Sequence, residues 1–303
     1  MDQNELTEIF NRHLFREEKR TLLSKIADNP DRFVGIFRST SPRLKLIQNL
    51  LQSREIRYGD ALEEIMAKLI SEMGFIHLDK GLLPNNGEKL SCDHYFTTPD
   101  RTSFYLVEQK IRDDHDSTKK RGQFENFRSK ILHLSQKHGA AVVGIIYFID
   151  PTLTKNKNYY HQRLVQLREE LKVPLYLFYN GELFTFLQGS TAIWDNLVAG
   201  LQSWQNSVPE GIDEFFNFDN TPEETLAEIQ AIEPRRWYKL LVDDRLWTSN
   251  LMVSLFPTGT TLLMLRDFFL GHSAEKFSVG RSRLTYAHIA ALLQQRLETH
   301  YNC

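Results

Sequence analysis

Cysteine is nearly absent: the chain of 303 residues has two, Cys92 and Cys303. Two cysteines so far apart build no disulfide framework and match no zinc-ligand spacing, which predicts a reduced, cytoplasmic protein. No apolar run approaches the length of a membrane span. The opening MDQNELTEIFNRHLFREEKR predicts an amphipathic polar helix rather than a signal peptide. Excess charge is lacking too, since 37 Lys and Arg stand against 39 Asp and Glu for a formal net charge of -2. That balance excludes no partner, because clustering rather than the total decides nucleic-acid binding, and a basic cluster stands at Lys119-Lys120-Arg121. There is no P-loop, no G-x-S-x-G elbow, no H-E-x-x-H, and no G-x-G-x-x-G after a strand. Internal repeats and low-complexity tracts are also missing.

What remains is an ordinary globular composition, 41% hydrophobic and 25% charged, with 12% aromatics to fill a core. Such a chain has room for one large domain or two smaller ones. Residues 1–57 read as helices: Leu6, Ile9, Phe10 and Leu14 keep helical spacing, and Pro30 and Pro42 punctuate the segment. In YGDALEEIMAKLISEMGF, Asp60 is expected to cap a helix with Glu63 at its third position, Leu62, Ile65, Leu69 and Met73 form its apolar stripe, and Gly74 ends it. A hairpin from about Lys89 to Ile111 comes after it. Next are a polar loop, RDDHDSTKKRG, and a helix from about Gln123 to His138 with Phe124, Phe127, Ile131 and Leu134 on one face.

AAVVGIIYFID is a continuous run of β-formers, the mark of a strand buried on both faces. A helix near Tyr159 to Leu171 and strands at PLYLFYN and ELFTFL complete an order α-β-β-α-β, then α-β-β. The fold class expected is α/β (α+β), a mixed central sheet flanked by helices. From about 201 the chain reads as mainly helical, with Thr285 capping the last helix. The division expected is 1–58 helical, 59–200 core, and 201–303 helical, the last for recognition or dimerisation.

The hairpin carries the chemistry. Its two runs in SCDHYFTTPDRTSFYLVEQK are joined by Pro99-Asp100-Arg101-Thr102, good turn residues. If that turn closes a hairpin, residues whose numbers sum to about 201 lie opposite each other, so Asp93 faces Glu108. Lys110 then shares the face of Glu108. Two opposed carboxylates repel, so a divalent cation is the natural missing charge. The plainer alternative is a surface ion pair of Glu108 with Lys110.

Asp93, followed after an interval by Glu108-Gln109-Lys110, resembles the PD-(D/E)XK nuclease superfamily, and more narrowly its type II restriction endonucleases. The resemblance covers residues 59 to about 150, including VEQKIRDDHDSTKKRGQ. One departure is Cys92, which stands where the family's pattern nominally has a proline. The resemblance implies a restriction-endonuclease-like core, Glu63 as the helix acid (with Glu64 beside it), double-stranded DNA as substrate, a homodimer, and a cognate DNA methyltransferase.

Physically, Asp93 and Glu108 supply hard oxygens for Mg²⁺, with the main-chain carbonyl of Gln109 as a further oxygen. Lys110 beside the phosphate stabilises developing charge and positions the attacking water or takes its proton. Lys119, Lys120 and Arg121 are candidates for phosphate contact, and Arg112 or Gln123 for phosphate or base edges. Asp113, Asp114 and Asp116 would orient these cations, and His115 is more simply an exposed side chain. PRRWYKLL, basic and aromatic, is either a DNA-touching segment or an amphipathic core helix. A repair or mobile-element nuclease, and a DNA-binding protein that keeps the fold without catalysis, remain the alternative readings.

Overall fold

The computed structural model describes residues 1–82, 90–112, 117–187, 189, 191–208 and 216–301. It forms two compact units, one joining Met1–His13 to Tyr58–Ser207, the other joining Leu14–Arg57 to Val208–Cys303. The N-terminal helical stretch expected as one region is therefore shared between them.

The first unit is built on a five-stranded mixed sheet. Its strands are β1 (Ile76–His77), β4 (His94–Thr97), β5 (Phe104–Lys110), β6 (Val142–Phe148) and β7 (Leu175–Tyr179), in the spatial order β1-β4-β5-β6-β7. β1, β4 and β5 are antiparallel neighbours, and β5, β6 and β7 run parallel. The short β2 (Gly81–Leu82) and β3 (Leu90–Ser91) pair separately. Helix α1 (Gln3–Leu14) opens the chain, and α4 (Pro42–Glu72), α5 (Ser117–His138) and α6 (Lys157–Leu171) supply the crossovers and flanks. This is the mixed α/β sheet expected.

The hairpin register is the predicted one. His94 pairs with Val107, Tyr95 with Leu106, Phe96 with Tyr105 and Thr97 with Phe104. The turn closes through the Thr98 N–H donating to Ser103 O at 3.2 Å, and the Arg101 N–H to Thr98 O at 2.9 Å. Asp100 Oδ1 accepts from the Thr102 hydroxyl at 2.9 Å, the local side-chain bonding that makes Asp a turn former.

The apolar stripe of α5 packs directly onto the sheet. Phe124, Phe127, Ile131 and Leu134 are all buried against Tyr95, Leu106, Val142 and Ile146. Gly144, in the middle of β6, lets the helix come close: a Cβ there would lie 2.4 Å from Ile131 Cδ1 and 2.6 Å from Leu175 Cδ2.

Three expectations are corrected. Asp60 does not cap a helix, and Glu63 is not its third residue, because α4 runs unbroken from Pro42 to Glu72. Gly59 belongs inside it, where a Cβ would meet Ile111 Cδ1 at 2.9 Å. A mid-helix glycine costs roughly 1 kcal/mol of propensity, and close packing against the end of the catalytic-candidate strand accounts for it here. Gly74 does end α4, at φ +90° with its N–H on Ser71 O.

ELFTFL is not a strand but α7 (Glu182–Phe186). Leu183, Phe184 and Leu187 are buried on one side of it, and the same apolar letters fit either period. The Glu182 carboxylate accepts the N–H of Tyr179 at 2.8 Å, closing the turn as a helix start. The long α8 (Thr191–Ser207) comes next.

The second unit gathers α2 (Glu18–Asp28), α3 (Asp31–Val34), α9 (Pro222–Ile229), α10 (Pro234–Val242), α11 (Asp244–Thr248), α12 (Leu251–Leu255), α13 (Thr260–Gly271) and α14 (Tyr286–Tyr301). Leu23, Ile26, Phe33, Trp237, Leu240, Trp247, Leu262 and Leu293 fill its core. PRRWYKLL is α10: Trp237, Leu240 and Leu241 face inward, while Arg236 pairs with Asp28 and Arg235 with Glu233. It is a core helix. The unit is not purely helical, for β8 (Lys276–Val279) and β9 (Ser282–Thr285) form an antiparallel ribbon between α13 and α14. Thr285, expected as the cap of the last helix, is the final residue of β9 and immediately precedes α14. No helix among the described residues is long and apolar enough to cross a membrane.

Candidate active site

The hairpin mouth brings the predicted residues together. Asp93 stands one residue before β4, in line with the register that sets it across from Glu108. Its Oδ2 accepts the backbone N–H of Gln109 at 2.7 Å, which ties the carboxylate across the hairpin. Glu108 lies on the face of β5 that packs under α5 and is only 6% exposed. Its Oε2 is 3.6 Å from Lys110 Nζ. The Glu108–Lys110 ion pair of the plainer alternative is therefore present, but in a buried setting rather than on the surface.

The second oxygen of Glu108 has a partner that the sequence did not reveal. Lys130 Nζ, on α5, donates to Glu108 Oε1 at 2.7 Å, and Lys130 is itself only 3% exposed. The signal was present: Lys130 falls three residues after Phe127 and four before Leu134, on the apolar stripe of the helix. A lysine there needs a buried partner. Burial pushes the Glu108 carboxyl above its ordinary range, Asp93 adds to the rise, and Lys110 and Lys130 oppose it.

Glu63 joins this neighbourhood from α4. Its carboxylate pairs with Lys80, a second cation that nothing in the sequence pattern singles out. Burial raises its pKa, the Lys80 pair opposes that, and the charges of Asp93 and Asp60 add to the rise. Glu64 turns elsewhere, to Arg12 at 2.6 Å and His13 at 2.8 Å. Cys92 is buried behind the acids, its thiol pushed up to about 12, chiefly by burial.

The basic stretch is helical rather than a loop, because α5 begins at Ser117 instead of near Gln123. Lys119 and Arg121 are exposed on its first turns. Lys120 bends inward, donating to Asn156 Oδ1 at 3.0 Å with its ammonium 4.8 Å over the Tyr159 ring. Gln123 Oε1 accepts from the Tyr160 hydroxyl at 3.1 Å, so Gln123 faces α6. Arg112 lies just past the end of β5, half-buried. Asp113, Asp114, His115 and Asp116 lie outside the described residues.

Among the described residues no three His, Cys, Asp or Glu side chains converge as a metal-binding group. A pair is enough for Mg²⁺, which is usually held by one or two carboxylates together with substrate phosphates and water. Asp93 and Glu108 fit that requirement: hard oxygens, close enough for mutual repulsion, and flanked by a lysine suited to a phosphate.

Over residues 83–205 the chain matches the family model described as type II restriction endonuclease, HinfI. The HinfI-matching segment holds Asp93, Glu108, Lys110, Lys130 and all of α5; Glu63 lies before it. No curated protein and no solved structure matches the chain.

On the opposite face of the hairpin, His94 is wholly buried, its Nε2 3.2 Å from Gln109 Oε1. Its Nδ1 has no partner among the described residues. Burial pulls its pKa down from 6.5 to about 3, against the Gln109 hydrogen bond. Between those values the unfolded chain binds the proton that the folded one refuses, so stability falls as pH falls. The slope from this one group is up to about 1.4 kcal/mol per pH unit. Urea midpoints measured from pH 7 to pH 4 are expected to decline for the parent and to decline less for His94→Gln. Equal declines would show that another group sets the acid sensitivity.

Proposed function

We propose that this protein is a Mg²⁺-dependent type II restriction endonuclease that hydrolyses double-stranded DNA at a short specific sequence. The observation carrying the reading is the convergence of Asp93, Glu108 and Lys110 at one hairpin mouth inside the HinfI-matching segment. Asp93 and Glu108, with the main-chain carbonyl of Gln109, are the proposed holders of the metal. A bound Mg²⁺ would supply Lewis-acid stabilisation of phosphate charge and a more acidic water.

The chain's own residues do the rest. Lys110 places its ammonium where the scissile phosphate gains charge and where the attacking water is oriented. Lys130 opposes the rise that burial imposes on the Glu108 carboxyl and holds its Oε1, so that the other oxygen remains turned toward Lys110. Glu63 acts through its charge on Asp93, or through a bound water. Lys119, Arg121 and Arg112 stand where the backbone of the duplex would pass beside α5, with Lys120 and Gln123 behind them.

The same reading includes a cytoplasmic location, a homodimer matched to a two-fold site, recognition and dimer contacts from the second unit, and a methyltransferase that protects host DNA. The test is digestion of unmethylated phage DNA by the purified protein with and without Mg²⁺. Discrete, Mg²⁺-dependent fragments are expected, and sequencing their ends gives the site. A metal-dependent smear would replace the reading with a repair-type nuclease, and binding without scission would replace it with a binding protein.

A further inference from the structure

The ribbon β8–β9 packs one face on the second unit's core through Phe277 and presents its other face outward. Lys276 pairs with Thr285, Phe277 with Leu284, Ser278 with Arg283, and Val279 with Ser282. Alternation sorts the side chains onto two faces. Phe277, Val279 and Leu284 are half-buried, with Phe277 packed toward Tyr238 and Tyr286 at centroid distances of 6.5 and 6.2 Å. Lys276, Ser278 and Arg283 are exposed on the other face.

Gly280 and Arg281 form the two-residue tip, with Gly280 at φ +60° and Arg281 outside the positive-φ region. That is the pattern of a type II′ turn, which matches the strand twist and makes a tight ribbon. It leaves Arg281 exposed at the end. Lys276, Arg281 and Arg283 make no ion pair among the described residues, and from Lys276 to Leu297 the chain has no Asp or Glu. Other arginines of this unit do pair with acids, Arg236 with Asp28, Arg245 with Asp243 and Asp31, and Arg296 with Asp244.

We infer that this ribbon is a DNA-contacting element that enters a groove of the duplex. Its four-residue strands span about 13 Å, and a major groove about 12 Å wide admits a two-stranded ribbon. Arg281 at the tip and Arg283 beside Ser278 are the side chains that reach base edges and phosphates, and Lys276 at the base meets the backbone. The partner is duplex DNA, chosen by unpaired positive charge on a stiff, narrow ribbon with no acid in either strand or the tip. The inference rests on the DNA-cleaving reading of the first unit.

The experiment measures binding of labelled random-sequence duplexes by the full chain in EDTA, across a salt series, beside the digestion of phage DNA. The variant Lys276→Ala/Arg281→Ala/Arg283→Ala is expected to bind at least about tenfold more weakly, with the salt slope reduced by about two to three. Arg281→Lys/Arg283→Lys is expected to keep the parent's slope. Since the substituted side chains are exposed, an unchanged thermal midpoint verifies the fold. If the alanine variant binds and cuts like the parent, the ribbon serves only to keep its open edges from aggregating, and the inference is overturned while the nuclease reading stands. If the parent cuts nothing but the variant still loses affinity, the nuclease reading fails and the ribbon's role holds. If the parent neither binds duplex in EDTA nor cuts phage DNA with Mg²⁺, both fail.

Discussion

Asp93→Asn is expected to abolish Mg²⁺-dependent cleavage, lowering the rate by about a thousandfold or more, equivalent to roughly 4 kcal/mol of lost transition-state stabilisation. Asparagine keeps the shape of the side chain and an oxygen to accept the Gln109 N–H that Asp93 Oδ2 now accepts at 2.7 Å. What it removes is one negative charge beside another. The fold is therefore expected to tolerate the change, with a thermal midpoint equal to or above the parent's, because the repulsion that helps to raise the Glu108 pKa is relieved. Loss of cutting with no loss of stability separates a metal-holding acid from a structural one. A variant that cuts within about tenfold of the parent, roughly 1.4 kcal/mol, would remove Asp93 from the chemistry.

Glu108→Gln belongs to the same test with a different signature. It removes a charge that Lys110 and Lys130 both face. Cutting is lost there as well, but the buried ammonium of Lys130 and the half-buried one of Lys110 are then left without their acid. Stability falls in that variant, whereas it holds in Asp93→Asn. The contrast arises from where each carboxylate sits, half-buried at the mouth or enclosed under α5.

The parts of the site legible from sequence were those fixed by local rules. Pro99 and Asp100 mark a turn, a turn fixes a register, and a register decides which side chains share a face. Those rules alone place Asp93, Glu108 and Lys110 together, as the hairpin does. The failures share a different cause. Asp60 with Glu63 has the letters of a capping box, yet the helix continues through both, because packing against Ile111 favours glycine at position 59. Local capping preferences of about 1 kcal/mol yield to the burial of an apolar face along a helix. ELFTFL satisfied two periods, and a carboxylate bond to Tyr179 N–H decided for the helix. The β8–β9 ribbon was hidden because its strands are four residues each, half of their positions polar and exposed. Lys130 required a tertiary fact, that the apolar stripe of α5 lies over Glu108; sequence spacing showed the stripe and not its partner.

Lys130→Met is expected to destabilise the protein by about 3–5 kcal/mol near pH 8, the usual cost of stripping one partner from a buried ion pair. Methionine is close to lysine in size but leaves Glu108 Oε1 with no donor. The Glu108 carboxyl, already raised by burial, then rises further, and the folded chain takes up a proton that the unfolded chain does not hold. The deficit is accordingly fully present above the raised pKa and shrinks as pH falls toward the ordinary carboxylate range. Chemical denaturation at several pH values reads this directly. Adding Glu108→Gln to Lys130→Met should recover most of the lost stability without restoring cleavage, since the uncompensated charge is gone and so is the acid. Lys130→Arg keeps the charge but needs room for its planar fork, so it should retain part of the stability. If Lys130→Met proves as stable as the parent at about pH 8, Glu108 is not held by this pair, and its ionised form would have to depend on Lys110 alone. The two lysines divide the work through geometry: the ammonium at 2.7 Å and 3% exposure is enclosed with its acid, and the one at 3.6 Å sits nearer the open mouth, where a phosphate can compete for it.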